Sequence, residues 1–345
     1  MKVTIKEVAE AAGVSPATVS RVFNDTVPVD EDTRARVLAA AERLRYVPNA
    51  AARSLITSRT TTVGVLIPAL SGAFLSEVML GLDNAARRRG FHLLVSSAAR
   101  DFSSATDALR AMRGRVDGVI IISPELDPLP LLGELPEEQA VVLVGTPRRE
   151  TSATIVAIDN AGGAAAMVRH LVRHGHRRIA LISGPEGNAD ARERREGYAA
   201  ALAENDIARD ERLETVGDFT EDGGYEAARR LLSAGPRPTA MFATNDSMAI
   251  GASTALREAG ISVPDEMAIA GFGDLPIARH VTPPLSSVHV PSVELGRLAL
   301  ERMLFAIARQ GRVAHTHDRL DCTLVLRASC GVHENAEAQA VRRHA

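Results

Sequence analysis

The spacing of apolar residues changes once along this chain, near Val63, and that change requires a molecule of two unlike parts. Upstream, Ile5, Val8, Ala9 and Ala12 recur at i, i+3, i+4 and i+7, the stripe of one buried helix face. Downstream, apolar runs of strand length alternate with helical stretches, at residues 63–67, 93–96, 116–122, 141–144, 154–158, 179–182, 239–243, 267–272, 286–290 and 322–326. Gly90, Gly175, Gly260 and Gly311 stand where the intervening helices should stop. Repeated strand–helix units imply parallel sheets, and about ten strands exceed what one compact sheet usually carries. Two doubly wound α/β lobes are therefore expected, with the cleft between them as the default ligand site.

The upstream part reads as three short helices. Thr4 with Glu7 three residues later is a capping box, and Gly13 supplies the backbone freedom that ends the first helix. Ser15 caps a second helix with Pro16 at its first position, Val19, Val22 and Phe23 turned inward, and an end near Asn24. Asp30 caps a third that runs to about Tyr46, with Val37, Leu38, Ala41 and Leu44 inward. A helix, a tight glycine turn and a second capped helix make the helix-turn-helix geometry, whose second helix presents its first turn to the major groove. The outward residues on that helix are Pro16, Ala17, Thr18, Ser20 and Arg21. Hydroxyls there can bind phosphate, and Arg21 can fork onto guanine O6 and N7. An ordinary three-helix bundle with a solvated arginine has the same pattern, so these residues alone leave both readings open.

Charge narrows the choice only a little. The 345-residue chain carries 40 Lys/Arg against 43 Asp/Glu, so no global basic field draws it to nucleic acid or an anionic membrane. Residues 1–60 hold nine Lys/Arg and seven acids, a small local excess that leaves the remainder acidic. Cys322 and Cys330 are too few for a disulfide framework and lack the spacing of a zinc site, which fits a reducing cytoplasm. The charged start through Lys2 and Lys6 is no signal peptide, and no apolar run approaches a membrane span. Residues 47–60 read as a linker, whose helical piece at 49–55 is shorter than the roughly 12–15 residues an isolated helix needs in water.

Several segments now resemble one family. They are Thr4-Ile5-Lys6-Glu7-Val8-Ala9, Gly13-Val14-Ser15, Thr18-Val19-Ser20-Arg21-Val22, Tyr46-Val47-Pro48-Asn49 and Ala52-Arg53-Ser54-Leu55, continued by Gly175-His176-Arg177-Arg178-Ile179, Asn245-Asp246-Ser247-Met248-Ala249 and Thr282-Pro283-Pro284-Leu285. Together they are similar to the lactose-repressor (LacI/GalR) family of bacterial transcription regulators over essentially the whole chain. The resemblance implies a helix-turn-helix headpiece at 1–46, a hinge helix and linker at 47–60, an effector-binding and dimerisation core at 61–335, and a tail at 336–345. The core would be periplasmic-binding-protein-like, with one lobe near 61–159 and 291–320 and the other near 160–290 and 321–335. Paired headpieces of a homodimer would read a palindromic DNA operator in the cytoplasm, through Thr4, Ser15, Pro16, Ala17, Thr18, Ser20, Arg21 and Asn24. Asn49, Ala52 and Arg53 would lie at the operator centre, with Leu55 as a lever wedged into the minor groove.

For the core, the resemblance places Phe74, Asp190, Arg192, Arg194, Phe219 and Asn245 in an effector pocket. Two phenylalanines are notable in a chain with eight Phe, three Tyr and no Trp. They could stack on a ring while the polar groups meet hydroxyls or a carboxylate. The chain also departs from the family pattern. Gly273 follows Gly271-Phe272 where an aspartate is usual, Val290 replaces a glutamine, Gly145 an acid, and Ala69 and Gly72 an aspartate and an asparagine. Asp274 is the candidate substitute for the missing acid. A pocket with fewer acceptors and several arginines would suit an anionic or less hydroxylated metabolite, or a sugar derivative.

Other chemistry is weakly signalled. His174-Gly175-His176 and His315-Thr316-His317-Asp318 have ligand-like spacing, but a helix end and a polar surface segment explain them, and no cofactor is implied. Pro276 breaks any dinucleotide fingerprint after Gly271, and neither a Walker lysine nor a Gly-x-Ser-x-Gly elbow occurs, so catalysis is not expected. The reading is an effector-controlled DNA-binding repressor. Its rivals are a cytosolic binding protein whose headpiece serves protein interaction, and a sugar-processing α/β enzyme.

Overall fold

The computed structural model describes residues 3–24, 28–47, 59–68, 72–98, 101–146, 151, 153–233, 235, 237–311 and 316–331. It divides into two compact units, residues 1–62 with 115–117, and the remainder.

The first unit contains α1 (Ile5–Ala12), α2 (Pro16–Asn24) and α3 (Glu31–Arg43). Their ends are set by local chemistry. Thr4 donates from its backbone N–H and its hydroxyl to Glu7 Oε2, at 2.7 and 2.9 Å. Those bonds hold the Glu7 carboxyl below its ordinary range, the backbone donor contributing most. Gly13 takes the left-handed conformation, φ 65°, that ends α1. Ser15 Oγ accepts from Thr18 N at 3.1 Å, and Asp30 from Thr33 N at 3.2 Å. Val8, Ala9, Ala12, Val19, Val22, Val37, Ala40 and Ala41 form one core, beside which the Phe23 and Tyr46 rings pack 5.7 Å apart. Two expectations for α3 are corrected. It stops at Arg43 because Arg45 turns left-handed at φ 52°, and Leu38 is 45% exposed because Val37, Ala40, Ala41 and Leu44 already fill the inward stripe.

The second unit holds two six-stranded sheets. In chain order the elements are β1 (Thr62–Ile67), α4 (Ala73–Arg88), β2 (His92–Ser97), α5 (Phe102–Met112), β3 (Gly118–Ile122), α6 (Pro128–Leu132), β4 (Ala140–Val144), β5 (Thr154–Ile158), α7 (Asn160–Arg173), β6 (Ile179–Ser183), α8 (Ala189–Ala203), β7 (Glu214–Val216), α9 (Glu221–Ser233), β8 (Ala240–Ala243), α10 (Asp246–Glu258), β9 (Ala268–Gly273), β10 (Ser286–His289), α11 (Ser292–Ala308), β11 (His317–Leu320) and β12 (Thr323–Val325). One sheet has the order β11-β5-β4-β3-β1-β2 and the other β12-β10-β9-β8-β6-β7. Pairing is parallel from β11 through to β1, and β12 runs antiparallel to β10. Central strands such as Val63–Ile67 and Ile179–Ser183 are buried on both faces, as continuous apolar runs require in a parallel sheet covered by helices.

The expected alternation is present, with two strands more than the apolar runs indicate. Both β7 and β11 are polar edge strands, Glu-Thr-Val and His-Asp-Arg-Leu, and neither contains a fully buried residue. The polar surface segment around His317 is thus an edge strand, with His317 exposed at its start. The chain crosses between the sheets after β5, after β10 and again between β11 and β12, so each sheet is finished by a late strand. Helix α11 returns to the first lobe and packs on α4 at backbone distance. A Cβ at Gly81 would stand 2.0 Å from Val293 O, and one at Gly296 would stand 2.1 Å from Val78 O, so neither position admits a side chain.

Candidate functional site

On α2, Pro16, Ala17 and Arg21 are exposed, Thr18 and Ser20 are half-buried, and Val19 and Val22 are buried. The side of the helix away from the core is thus the one that carries Arg21. The Ser15 and Thr18 hydroxyls lie 3.0 Å apart at its first turn, and Thr4 is exposed at the start of α1. Hydroxyls at a helix start, followed by an arginine one turn after Thr18, can engage a phosphate and a base edge respectively. Asn24 ends α2, but its side chain lies outside the described residues, as do Asn49, Ala52, Arg53 and Leu55.

The cleft between the two lobes of the core is a cavity of about 220 Å³. Most of its wall is apolar. Phe74, Ile122, Val144, Ile158 and Leu295 come from the first lobe and its crossing strand, while Phe219, Phe272, Leu275 and Val290 come from the second. Its polar corner is built by α8, where Asp190 and Arg194 are one turn apart and face the same way. Arg194 is 7% exposed. Its Nε donates to Asn160 Oδ1 at 2.8 Å, its Nη1 donates to Thr244 O at 2.7 Å, and its guanidinium lies over the Phe272 ring, 4.0 Å from the centroid. Asn160 also donates to Asp190 Oδ1 at 2.8 Å and to Glu193 at 3.3 Å. Burial pushes the Asp190 carboxyl up and the Arg194 guanidinium down, and in each case the opposite charge of the other resists. The corner is a fixed, nearly dry pair of charges beside an apolar wall.

Asn245 acts through a neighbour. It caps α10 by accepting from Met248 N at 2.9 Å, and its amide donates to Phe219 O at 2.8 Å. Phe219 has φ 69°, a backbone conformation unfavourable for a bulky residue, and its ring covers Gly184, where a Cβ would stand 2.1 Å from it. The asparagine therefore holds the aromatic wall in place as well as lining the cavity.

Phe74, Asp190, Arg194, Phe219 and Asn245 are brought together; Arg192 and Asp274 are not. Arg192 is two residues from both Asp190 and Arg194, which on a helix turns it to the far side, where it is 53% exposed beside Glu196. Asp274 turns away from the cavity, pairing with Arg327 at 2.6 Å and with His289 Nδ1 at 3.2 Å. It does not replace the acid missing at Gly273. The apolar wall residues Ile122, Phe272 and Leu295, and the hub residue Asn160, were not singled out by the sequence. Asn160 follows Asp159, which caps α7, and that cap alone gave no sign of its second role.

Two buried titratable groups lie outside the cavity. Asp246, fully buried behind Asn245, accepts from Ser287 Oγ at 2.5 Å and Leu275 N at 2.6 Å, and burial pushes its carboxyl up to about 6. His170, 8% exposed, has Nε2 3.3 Å from Cys330 Sγ and its ring 4.5 Å from that of His174; burial, then the charges of His174, Arg173 and His176, pull it down to about 4. Among the described residues no group of three or more His, Cys, Asp or Glu could hold a metal, and no helix is long and apolar enough to cross a membrane.

Comparison with known proteins finds relatives of both parts of the chain. Residues 4–49 match the family described as bacterial regulatory proteins, lacI family, and residues 168–330 match the periplasmic binding protein-like domain. The ribose operon repressor of Escherichia coli (strain K12) is 37% identical over 309 residues, 89% of this chain and 93% of that protein. The HTH-type transcriptional repressor PurR of Haemophilus influenzae (strain PittEE) is 33% identical over 331 residues, 94% of this chain and 98% of that protein. The lac repressor dimer bound to operator and the anti-inducer ONPF has a similar structure, with TM-score 0.87 and 30% identity over 96% of this chain and 99% of that one. The transcriptional regulator CelR, solved with cellobiose, aligns at TM-score 0.72 and 33% identity over 95% of this chain and all of that one. A DNA-reading helix-turn-helix headpiece joined to a two-lobed ligand-binding core is a DNA-binding transcription regulator. The chain belongs to the lacI family of bacterial regulatory proteins.

Proposed function

We propose that this protein is a cytoplasmic, homodimeric repressor without catalytic activity, whose headpieces read a palindromic operator and whose cleft takes a compact effector. The observation that carries the first half is the capped α2 with Arg21 exposed on its outer side. The second half is supported by the Asp190–Asn160–Arg194 corner, which ties α8 to α7 and turns Asp190 and Arg194 to the cleft. Effector that draws the lobes together would change the spacing of the paired linkers, and a coupling of about 1–3 kcal/mol would alter operator affinity about 5- to 150-fold.

The cleft wall favours an effector with an apolar or aromatic face and few hydroxyls. Gly273 and Val290 offer no side-chain acceptor, and among the described residues Arg194 is the one arginine on the wall, already facing Asp190. Thermal-shift screening tests this: less hydroxylated ring compounds should raise the melting temperature, and stabilisation by neutral hexoses alone would contradict it. For the DNA half, duplexes recovered by the protein from a random pool should be retarded specifically, with binding falling steeply as salt rises. Arg21→Ala should then lose about 1–3 kcal/mol of discrimination between the recovered duplex and a scrambled one, read as a convergence of the two dissociation constants. Unchanged discrimination would remove Arg21 from base reading, and turnover of any bound compound would contradict the non-catalytic reading.

A further inference from the structure

The first sheet is parallel, so the strands start at one edge, and that edge receives the chain from the headpiece at β1. Thr60 and Thr61 just ahead of β1 are fixed by Asp117, which accepts from Thr60 N and Oγ1 at 2.6 and 2.8 Å and from Thr61 N at 2.9 Å. β2 is the outermost neighbour of β1, and Ala98 N donates to Ile67 O at 2.8 Å where the two strands finish, so β2 starts beside β1 at the entry edge. The last turn of α4 carries Arg87 and Arg88, and Arg89 follows on the way into β2, all three exposed. Arg87 is tied to Asp83 at 2.8 Å. Arg88 and Arg89 have no carboxylate partner among the described residues. Of the acids of this edge, Asp117 is held by Thr60 and Thr61, Glu134 is occupied by Arg110 and Arg113, and Glu137 and Glu138 precede β4, two strands from β1. Positive charge is therefore concentrated beside the strand that is covalently continuous with the DNA-reading unit.

We propose that Arg88 and Arg89 form a second DNA-contact surface, on the core itself, that grips operator phosphates irrespective of sequence. Exposed guanidiniums without internal partners can take phosphate without breaking an existing ion pair, and Gly90, left-handed at φ 69°, ends the helix directly after them. The proposal rests on the DNA-binding reading above and adds to it a contact outside the headpiece. A basic helix end is also favoured by the helix dipole, which would give these arginines no role with DNA.

The test uses the full chain, a duplex it recovers from a random 30-base-pair pool, and a scrambled duplex of equal length. The variants are R88Q/R89Q and, as a control of equal charge change, R173Q/R177Q. Arg173 and Arg177 are likewise exposed and without a carboxylate partner among the described residues, but they stand before β6 in the other lobe. For R88Q/R89Q we expect weaker binding to both duplexes by a similar factor, about tenfold, and a logarithmic salt slope shallower by roughly 0.9 for each phosphate no longer gripped. The control should leave slope and affinity as in the unaltered chain. If R88Q/R89Q keeps the unaltered slope, or if the two variants change it equally, no local phosphate contact exists and the proposal is overturned. If the unaltered chain itself binds no duplex, the DNA-binding reading fails first and takes this surface with it. Far-ultraviolet circular dichroism confirms that each variant is folded before binding is scored.

Discussion

Arg194→Ala is expected to lower the melting temperature of the core by about 6–12 °C and to abolish its response to effector. The side chain is 7% exposed and serves three partners at once: Asn160 Oδ1, Thr244 O and the Phe272 ring. Truncation leaves two buried acceptors unfilled and Asp190 without its compensating charge, together about 3 kcal/mol or more. At about 2–4 °C per kcal/mol for a domain of this size, that gives the stated shift. Arg194→Lys should recover part of the loss, because an ammonium retains the charge opposite Asp190 but not the planar fork or the stacking on Phe272. Calorimetry of the three proteins checks the order, and a melting temperature for the alanine variant within 2 °C of the unaltered protein would show that the corner is dispensable. Retardation of recovered DNA without effector should be unaffected, since none of these partners belongs to the headpiece.

The second large effect is hidden in the unaltered protein because two buried groups oppose each other. Asp246 is pushed from an ordinary 3.8 up to about 6, mainly by burial and against the bonds from Ser287 and Leu275, with Asp274 adding and Arg327 resisting. The native state thus holds this proton more tightly than the unfolded chain, so between pH 6 and 4 the group adds stability as the pH falls. His170 is pulled from 6.5 down to about 4, and the native state holds that proton less tightly. Its contribution is complete above pH 6.5 and is lost as the pH falls towards 4. Each shift corresponds to about 3 kcal/mol, with opposite signs. Asp190, also raised by burial, adds to the first trend, and His176, lowered by burial and His174, adds to the second.

Relative to the unaltered core, the two single variants should therefore diverge in opposite directions between pH 6.5 and 4. Asp246→Asn should lose about 3 kcal/mol more than the unaltered protein over that range, and His170→Gln should gain about as much. Urea midpoints at pH 6.5, 5.5 and 4.5 measure the slopes. Slopes rather than absolute stabilities are compared because the amide introduced by Asp246→Asn cannot accept from both Ser287 and Leu275. Parallel slopes in all three proteins would mean that neither buried group titrates as described.

What the sequence made legible follows the range of the forces involved. The caps at Thr4, Ser15 and Asp30 act over three residues, and each is found where its own segment indicates. The central strands announce themselves because both faces are buried, whereas Glu214–Val216 and His317–Leu320, polar strands at or beside a sheet edge, carry no apolar run to detect. Arg192 could have been set aside from helical phase alone, since residues 190 and 194 share a face that 192 cannot. Asp274 could not, because its partner Arg327 lies 53 residues away and only the tertiary fold brings them together. The hub role of Asn160 is hidden for the same reason: its partners at 190, 193 and 194 come from a different helix.

The late strands also set a timetable for synthesis. A ribosome releases the three-helix headpiece early, and every element of it is local enough to settle at once. Neither sheet can close its outer edge until residues 317–325 have emerged, because β11 completes the first sheet and β12 completes the second. A nascent chain would thus display a finished helix-turn-helix module tethered to an unfinished sensor, and ribosome stalling shortly before residue 317 should yield chains with a folded headpiece that stay deaf to any metabolite.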